Sequence, residues 1–265
     1  MWKNILGISG PKRLLVLLKK ESLMKCKMKD IILLPTYNER ENVAWIIPEI
    51  FSLVPDIHVL VIDDNSPDQT AEVVRGLASR YPNLSLIVRE KKTGLGNAYK
   101  DTMRQLIHDQ DIRSLLTMDA DGSHSPEYLK ELLTDISDYD LVIGSRYVAG
   151  GGVEDWEPWR KFLSRFGNMY SKFFTGLKIN DFTAGFMCIR REFLERLAFE
   201  KIGSSGYSFL IELKFYLIHD FKARVKEVPI IFKSRREGES KISHQIIREG
   251  IKAPLRLFLR RIWKK

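Results

Sequence analysis

The chain has 265 residues, of which 44% are hydrophobic and 29% charged, a composition that excludes a disordered tail, a collagen and a disulfide-stabilised miniprotein. Its formal net charge of +9 divides into +6 for residues 1–30, −5 for residues 31–232 and +8 for residues 233–265. An acidic body without a basic stripe argues against a nucleic-acid partner. Basic ends that also contain apolar residues suit an anionic membrane surface, with a solvated tail as an equal alternative for residues 1–28.

Short apolar runs alternate with segments of helical periodicity through the middle of the chain. The apolar runs, which predict buried strands, are residues 31–34, 59–62, 84–88, 114–118, 141–143 and 225–232. Helices are predicted for residues 43–53, 69–80, 97–108, 126–136, 162–177 and 209–221. This alternation predicts one α/β domain with a mostly parallel central sheet and helices on both faces.

Three segments are expected: a basic amphipathic extension over residues 1–29, the α/β domain over residues 30–243 and a basic amphipathic helix over residues 244–265. Pro254 should kink or interrupt that helix. The apolar run of residues 14–18 is far shorter than the ~18 residues that span a bilayer. Cys26 and Cys188 lack the spacing of a zinc site or a disulfide framework, so a reducing, cytoplasmic setting is expected.

Asp119 and Asp121 directly follow the predicted strand of residues 114–118. Residues two apart on an extended chain point the same way, so both carboxylates can approach one Mg²⁺ or Mn²⁺ ion. A polar turn that caps the next helix is the alternative interpretation. An EF-hand is excluded, because His124 and Lys130 stand where its loop needs glycine and glutamate.

Polar clusters follow two further strands, at residues 35–39 and at Asp63 and Asp64. The carboxyl ends of parallel strands share one edge of a sheet, where ligands bind in folds of this kind. Several carboxylates at one edge repel one another unless a cation or hydrogen-bond donors offset their charge. A nucleotide with its metal ion would supply both.

Basic side chains follow the later strands. Arg146 comes after residues 141–143, Arg160 begins the next predicted helix, and Arg235 and Lys241 flank a glycine after residues 225–232. The planar guanidinium suits phosphate oxygens, although a solvated surface charge is the alternative for any single arginine. The glycine-containing loop of residues 91–98 lacks the P-loop and dinucleotide fingerprints, so a structural or gating role is expected for it. The five histidines have no metal-ligand spacing, and no chemistry is assigned to them.

Taken in order, these segments resemble the dolichyl-phosphate (polyprenol-phosphate) mannosyltransferases of glycosyltransferase family two. The resemblance covers roughly residues 30–243 and rests on residues 35–42 (PTYNEREN), 63–68 (DDNSPD), 94–96 (GLG), 118–121 (MDAD), 144–147 (GSRY), Trp156, Arg160, Ser164, Asp181, Thr183, Gly185, 206–209 (GYSF), Arg235 and 238–241 (GESK).

The resemblance implies a single-domain GT-A fold and transfer of mannose from GDP-mannose to dolichyl or polyprenyl phosphate, with inversion and release of GDP. Asp119, Asp121, Arg146 and Arg235 would be catalytic, and Ser123 replaces a glutamine that often completes the metal site. The substrate contacts would be Pro35, Tyr37, Glu39, Ile62, Asp64, Asp119, Ala120, Asp121, Arg146, Arg160, Arg235 and Lys241. Glu212 is a minor candidate on the acceptor side.

The resemblance also implies peripheral association with the cytoplasmic face of a membrane, the endoplasmic reticulum in a eukaryote or the plasma membrane in a prokaryote. Some family members rely on small membrane-embedded accessory subunits, which are therefore candidate partners. Two alternatives stay open: transfer of glucose or another sugar from a UDP-sugar to polyprenyl phosphate, and a non-catalytic membrane module that binds lipid phosphate.

Overall fold

A seven-stranded sheet built from the apolar runs forms the centre of the molecule. The computed structural model describes residues 28–234 and 244–263. The strands are β1 (Lys29–Thr36), β2 (His58–Asp63), β3 (Leu84–Val88), β4 (Ile112–Thr117), β5 (Leu141–Ser145), β6 (Gly152–Val153), β7 (Met187–Arg190), β8 (Val225–Pro229) and β9 (Ile231–Phe232). The strand order is β3-β2-β1-β4-β7-β5-β8, and β6 pairs with β9 separately.

The helices cover both faces of this sheet. They are α1 (Arg40–Leu53), α2 (Thr70–Ala78), α3 (Leu95–Leu106), α4 (Leu129–Asp135), α5 (Pro158–Thr175), α6 (Arg191–Glu195), α7 (Ser208–Phe215) and α8 (His244–Trp263). Successive side chains of a strand point to opposite faces, so in β1 Ile31 and Leu33 join one hydrophobic cluster while Ile32 and Leu34 join the other. The predicted α/β architecture, mostly parallel with helices on both faces, is confirmed.

Strand β7 is absent from the sequence prediction, although Met187, Cys188 and Ile189 are apolar and buried. It lies between β4 and β5 and is antiparallel to both. Because of this reversed direction, the residues that precede β7 lie at the edge where β4 and β5 end. The segment of residues 181–186 is thereby brought to the carboxyl-end edge of the sheet.

Helix α8 continues through Pro254, so the helix is not interrupted there, and the alternative prediction of a kink stays a prediction. A proline removes one intrahelical hydrogen bond, and the burial of Ala253 and Leu257 against the protein offsets that loss. The Tyr170 hydroxyl of α5 donates to the carbonyl oxygen of Ile251 at 3.2 Å, which ties α8 to α5. Most of the extension predicted for residues 1–29 lies outside the described residues, and the three-segment division stays a prediction.

In the two described ranges, no helix combines the length and the apolar character required to cross a membrane.

Candidate active site

The carboxyl ends of β1, β2, β4 and β5 lie at one edge of the sheet, because these strands share a direction. At that edge Pro35 of β1 is in register with Ile62 of β2. The turns that follow β2 and β4 carry Asp64 and Asp119. The edge therefore gathers the residues that the sequence predicts for nucleotide and metal binding.

Asp63 and Asp64 have different roles at the end of β2. Asp63 is fully buried and accepts hydrogen bonds from the Thr36 hydroxyl at 2.9 Å and from the Ser66 backbone N–H at 2.9 Å, so it fixes the turns. Asp64 forms an ion pair with Arg89 at 2.5 Å. Burial raises the pKa of Asp64, and the hydrogen bond from Arg89 opposes that rise.

The other two residues predicted to contact guanosine lie in the turn after β1. The ammonium of Lys92 lies 3.8 Å from the ring centroid of Tyr37, within the range of a cation–π contact. The Glu39 carboxylate accepts a hydrogen bond from Asn42 Nδ2 at 2.6 Å, and the Glu39 backbone N–H donates to the Thr70 hydroxyl at 3.0 Å. These contacts hold the turn between β1 and α1 against the start of α2.

A compact turn carries the two aspartates that follow β4. The backbone N–H of Asp119 donates to Nδ1 of His124 at 2.9 Å, and that of Ser123 donates to Asp121 Oδ1 at 3.0 Å. Burial lowers the pKa of His124 to about 4, so its imidazole is neutral and Nδ1 can accept. The ring of His124 stacks on Phe186 with centroids 5.0 Å apart. His124, to which the sequence assigns no chemistry, thus anchors Asp119.

The donors of this turn fit a divalent cation that completes its coordination on a phosphate substrate. Asp121 is buried, and the buried hydroxyl of Ser123 has no hydrogen-bond partner among the described residues. In that part of the chain no group of three or more histidine, cysteine or acidic side chains could hold a metal ion. Mg²⁺ in particular commonly uses one or two carboxylates together with waters and substrate phosphates.

Arg146 is fixed by a buried ion pair with Asp181. Its Nε and Nη2 donate to the two carboxylate oxygens, both at 2.7 Å, and Nη2 also donates to the Thr183 hydroxyl at 2.7 Å. Burial acts to raise the pKa of Asp181, but the charge and hydrogen bonds of Arg146 outweigh it and hold that pKa below its usual value. Sequence motifs contain both partners, yet no local pattern indicates that residues 35 positions apart form this pair.

A cavity of about 480 Å³ begins beside Arg146 and extends between α5, α7 and α8. Asp119, Arg146 and Arg160 line its charged end, and the Arg160 guanidinium lies 4.1 Å from the Trp156 ring centroid. Its remaining walls are mostly apolar and come from α5, α7 and α8, including Leu163, Phe166, Tyr170, Leu210, Ile211 and Ile251. The cavity can therefore hold a molecule with a charged head and an apolar chain.

The outer surface of α5 and α8 next to this cavity exposes large apolar side chains. Phe162 and Phe173 are 72% and 75% exposed, and Trp263 is 86% exposed. We call this surface the α5–α8 face; its exposed apolar residues are Trp159, Phe162, Leu163, Phe166, Met169, Phe173, Ile251, Leu255, Leu259, Ile262 and Trp263. The same two helices carry nine arginines and lysines between Arg160 and Arg261. Apolar patches with basic neighbours are typical of surfaces that bind anionic membranes.

Glu212 does not contact the cavity as an acceptor-side group, so that minor prediction is wrong. Its buried carboxylate accepts hydrogen bonds from the backbone N–H groups of Gly203 and Ser204 at 3.0 and 3.1 Å and from the Arg256 guanidinium. It therefore ties the loop before α7 to α8. Ala120, between Asp119 and Asp121, is buried in the hydrophobic cluster on one face of the sheet. Arg235 and Lys241 lie outside the described residues, and their predicted roles stay predictions.

Fold and site together define an α/β protein with a carboxylate-rich edge at the carboxyl ends of its strands, as in enzymes that use nucleotide-activated substrates. The model of the family described as "Glycosyl transferase family 2" matches residues 31–198. The chain belongs to this family, and the resemblance inferred from its motifs is confirmed.

Relatives at 39–42% identity match across most of the chain. The polyprenol monophosphomannose synthase of Mycolicibacterium smegmatis is 42% identical over 226 residues, which cover 84% of each chain. The undecaprenyl-phosphate mannosyltransferase of Micrococcus luteus is 39% identical over 225 residues, which cover 84% of this chain and 91% of the relative.

Solved structures share the fold at low sequence identity. The glucosyl-3-phosphoglycerate synthase of Mycobacterium tuberculosis, solved with Mn²⁺, UDP and phosphoglyceric acid, has a TM-score of 0.63 and 17% identity over 88% of this chain and 78% of that one. The mannosyltransferase PcManGT of Pyrobaculum calidifontis, solved with GDP-Man and Mn²⁺, has a TM-score of 0.57 and 18% identity over 89% of this chain and 64% of that one. The predicted GT-A fold is confirmed.

Proposed function

We propose that the protein transfers mannose from GDP-mannose to a dolichyl or polyprenyl phosphate, with inversion at the anomeric carbon. The observation that carries this proposal is the single cavity that joins Asp119, Arg146 and Arg160 to an apolar channel between α5, α7 and α8. A phosphate would occupy the charged end, and a prenyl chain would occupy the channel. The names of the two relatives support mannose as the sugar and a polyprenyl phosphate as the acceptor.

In the proposed reaction, an oxygen of the lipid phosphate attacks the anomeric carbon of mannose. The new carbon–oxygen bond forms as the bond to the diphosphate breaks, and its electron pair leaves with GDP. A lipid phosphate is largely ionised at neutral pH, so no strongly shifted general base is required. The chain must instead hold two anionic groups close together and offset their repulsion, which is a role for Arg146 and Arg160.

We propose Asp119 and Asp121 as ligands of a Mg²⁺ or Mn²⁺ ion, with Ser123 near the ion directly or through water. The ion would stabilise negative charge on the departing diphosphate as a Lewis acid. Mn²⁺ in the two fold relatives supports this assignment. Pro35, Tyr37, Glu39, Ile62 and Asp64 would then contact the guanosine, since they lie at the adjoining ends of β1 and β2.

We further propose that the α5–α8 face rests on the cytoplasmic surface of a membrane. Its exposed aromatic rings would enter the interface while its arginines and lysines contact anionic headgroups. Phe166 and Ile251 belong both to this face and to the cavity lining. An acceptor could therefore enter the cavity from the bilayer with its chain still in an apolar environment.

The decisive experiment incubates the protein with radiolabelled GDP-mannose or UDP-glucose, a polyprenyl phosphate, and Mg²⁺ or Mn²⁺. We expect label from GDP-mannose in the lipid fraction, and none when the metal is chelated. Label in the lipid fraction from UDP-glucose but not from GDP-mannose would mean that the protein transfers glucose from a UDP-sugar instead. Vesicle binding without any labelled lipid would favour the non-catalytic module.

A further inference from the structure

Lys214 of α7 is a fully buried lysine in the hydrophobic core below the active site. Its Nζ donates hydrogen bonds to the carbonyl oxygens of Phe182 and Ala184 at 2.9 and 2.6 Å. Lysine is almost never fully buried, because its amine must be desolvated and its flexible side chain ordered. The proposed reaction does not use this amine. Its position therefore calls for another explanation.

The two carbonyl groups that Lys214 holds belong to the loop that fixes Arg146. In this loop Asp181 and Thr183 accept the hydrogen bonds of the Arg146 guanidinium. Gly185, two residues further on, adjoins the metal-binding turn, since a Cβ atom added to it would lie 3.8 Å from Oδ1 of Asp119. Residues 181–185 thus connect the arginine and the aspartate that line the charged end of the cavity.

Side chains from three other elements hold the same loop. Glu227 of β8 accepts hydrogen bonds from the backbone N–H groups of Asn180 and Asp181 at 2.9 and 3.0 Å. Asn168 of α5 accepts from the backbone N–H of Phe182 at 2.6 Å. The backbone groups of a buried loop require partners. Four side chains from four elements supply them here, because the Thr117 hydroxyl of β4 also donates to the carbonyl oxygen of Gly185 at 2.6 Å. Lys214 is the partner that supports the carbonyl groups on either side of Thr183.

The charges that face the amine are those of Asp181 and Arg146 from the edge of the sheet and Glu227 from β8. Burial lowers the pKa of Lys214 to about 7, although the two carboxylates act to raise it. The amine is thus retained in an environment that disfavours its charged form. A methionine or leucine would fill the same space without that desolvation cost, but it could not donate to the loop.

We propose that Lys214 is a positioning residue for glycosyl transfer. By fixing the carbonyl groups of Phe182 and Ala184, it maintains the loop that aims Arg146 into the cavity and sets Gly185 against Asp119. This inference rests on the proposed function, because the rate of mannose transfer is the quantity that reports whether Arg146 and Asp119 are correctly positioned. It assigns to Lys214 an effect on the rate of transfer that is separate from its effect on stability.

The test compares Lys214→Met, an unbranched side chain one atom shorter that has no N–H donor, with Lys214→Gln, a side chain of the same length as methionine that keeps an NH₂ donor. Leu132→Ala is the matched control, because Leu132 is equally buried but lies in the cluster on the other face of the sheet. For each variant the thermal midpoint, kcat, the KM of donor and acceptor, and amide hydrogen exchange in residues 181–186 are measured.

We expect Lys214→Met to lower kcat about 10- to 100-fold with little change in donor KM, because a small misplacement of a charged group has an effect of this size. Hydrogen exchange should accelerate in residues 181–186, and Lys214→Gln should recover part of both losses. Leu132→Ala should lower the thermal midpoint without lowering kcat at temperatures where it is folded.

An unchanged kcat together with unchanged exchange in Lys214→Met would overturn the inference. So would a loss of kcat that only matches that of Leu132→Ala at the same fraction folded. If the native protein makes no labelled lipid, the proposed function fails. The exchange measurement still decides the positioning role in that case, because the amides of Asp181 and Phe182 report the loop directly.

Discussion

The two halves of the site are held together by different kinds of contact. In the strand-end half, residues 35–70, many side chains bond to neighbours in the same turn, as Asp63 does with Ser66 and Asp68 with Thr70. In the cavity half, residues 119–251, side chains bond across the fold, as Arg146 does with Asp181. A change in the first half should therefore affect mainly the turns after β1 and β2, which the hydrogen bonds of Thr36 to Asp63 and of Glu39 to Thr70 join. A change in the second should spread to several groups that must act together.

The largest expected effect is at the junction of the two halves, where the metal would join nucleotide and cavity. Replacing Asp121 by alanine should lower transfer about 10³-fold, because charge on the leaving diphosphate is then poorly stabilised. Labelled lipid formation measures the loss at saturating Mg²⁺ or Mn²⁺. Asp138→Asn, at an exposed position, is the control and should retain full activity. Survival of turnover in Asp121→Ala with a chelator present would contradict metal assistance.

A smaller loss of activity is expected when the ion pair between Arg146 and Asp181 in the cavity half is changed. Arg146→Lys keeps the positive charge but loses the two-pronged contact with Asp181, and lysine cannot replace that planar geometry. We expect transfer to fall about 10²-fold and the free energy of unfolding to fall by about 1–3 kcal/mol, since Asp181 loses a buried hydrogen bond. Steady-state kinetics and denaturant unfolding give the two values.

Arg75→Lys is the matched control for that change, because Arg75 of α2 is exposed and forms a surface pair with Glu72. Such pairs contribute about 0–1 kcal/mol, so neither activity nor stability should change measurably. Equal effects of the two substitutions would mean that the bidentate contact of Arg146 with Asp181 is not required for activity or stability.

A smaller effect is expected on the α5–α8 face. The double substitution of Phe162 and Phe173 by serine removes two exposed rings and should weaken binding to anionic vesicles about 10-fold. Val88→Ser, which changes an exposed apolar residue of β3, should leave binding unchanged. Vesicle sedimentation at low and high salt separates the apolar and electrostatic contributions. Equal binding of the double variant and the native protein would place the membrane contact elsewhere.

The two halves of the site also differ in how much of their structure the sequence predicts. The strand-end half is encoded in contiguous residues, so apolar runs followed by Asp63 and Asp64 indicate both the sheet and the edge where ligands bind. Asp119 and Asp121, at the junction of the two halves, follow another such run. The cavity half depends on residues far apart in the chain. The contact of Asp181 with Arg146 requires β7 to reverse direction between β4 and β5, and a run of four residues does not reveal its neighbours.

Buried polar residues were the least predictable part of the site. His124 has no metal-ligand spacing, and its structural role depends on the turn that brings Nδ1 to the Asp119 N–H. Lys214 stands in an apolar helical segment, where sequence periodicity cannot tell a core lysine from a surface one. Pro254 shows the opposite case, since tertiary packing of α8 overrides a strong local signal.

The smallest expected effect concerns the pH dependence of stability in the cavity half. The pKa of Lys214 is about 7 in the folded protein and near 10.5 when the chain is unfolded. Between these values the unfolded state binds more protons, so stability should rise with pH. We expect a gain of about 2 kcal/mol between about pH 7 and about pH 9 from this group. Denaturant unfolding at both pH values measures it.

Lys214→Met isolates this contribution, because other groups that titrate in the same range are common to both proteins. Burial also lowers the pKa of Lys100, and any contribution from this group is common to both proteins. In the strand-end half, burial raises the pKa of Asp64 and lowers that of His58, and both shifts affect stability mainly on the acid side of this range. If the native protein and Lys214→Met show the same slope, the amine titrates at an ordinary pKa. The inference that the buried amine of Lys214 is uncharged above about pH 7 would then be wrong.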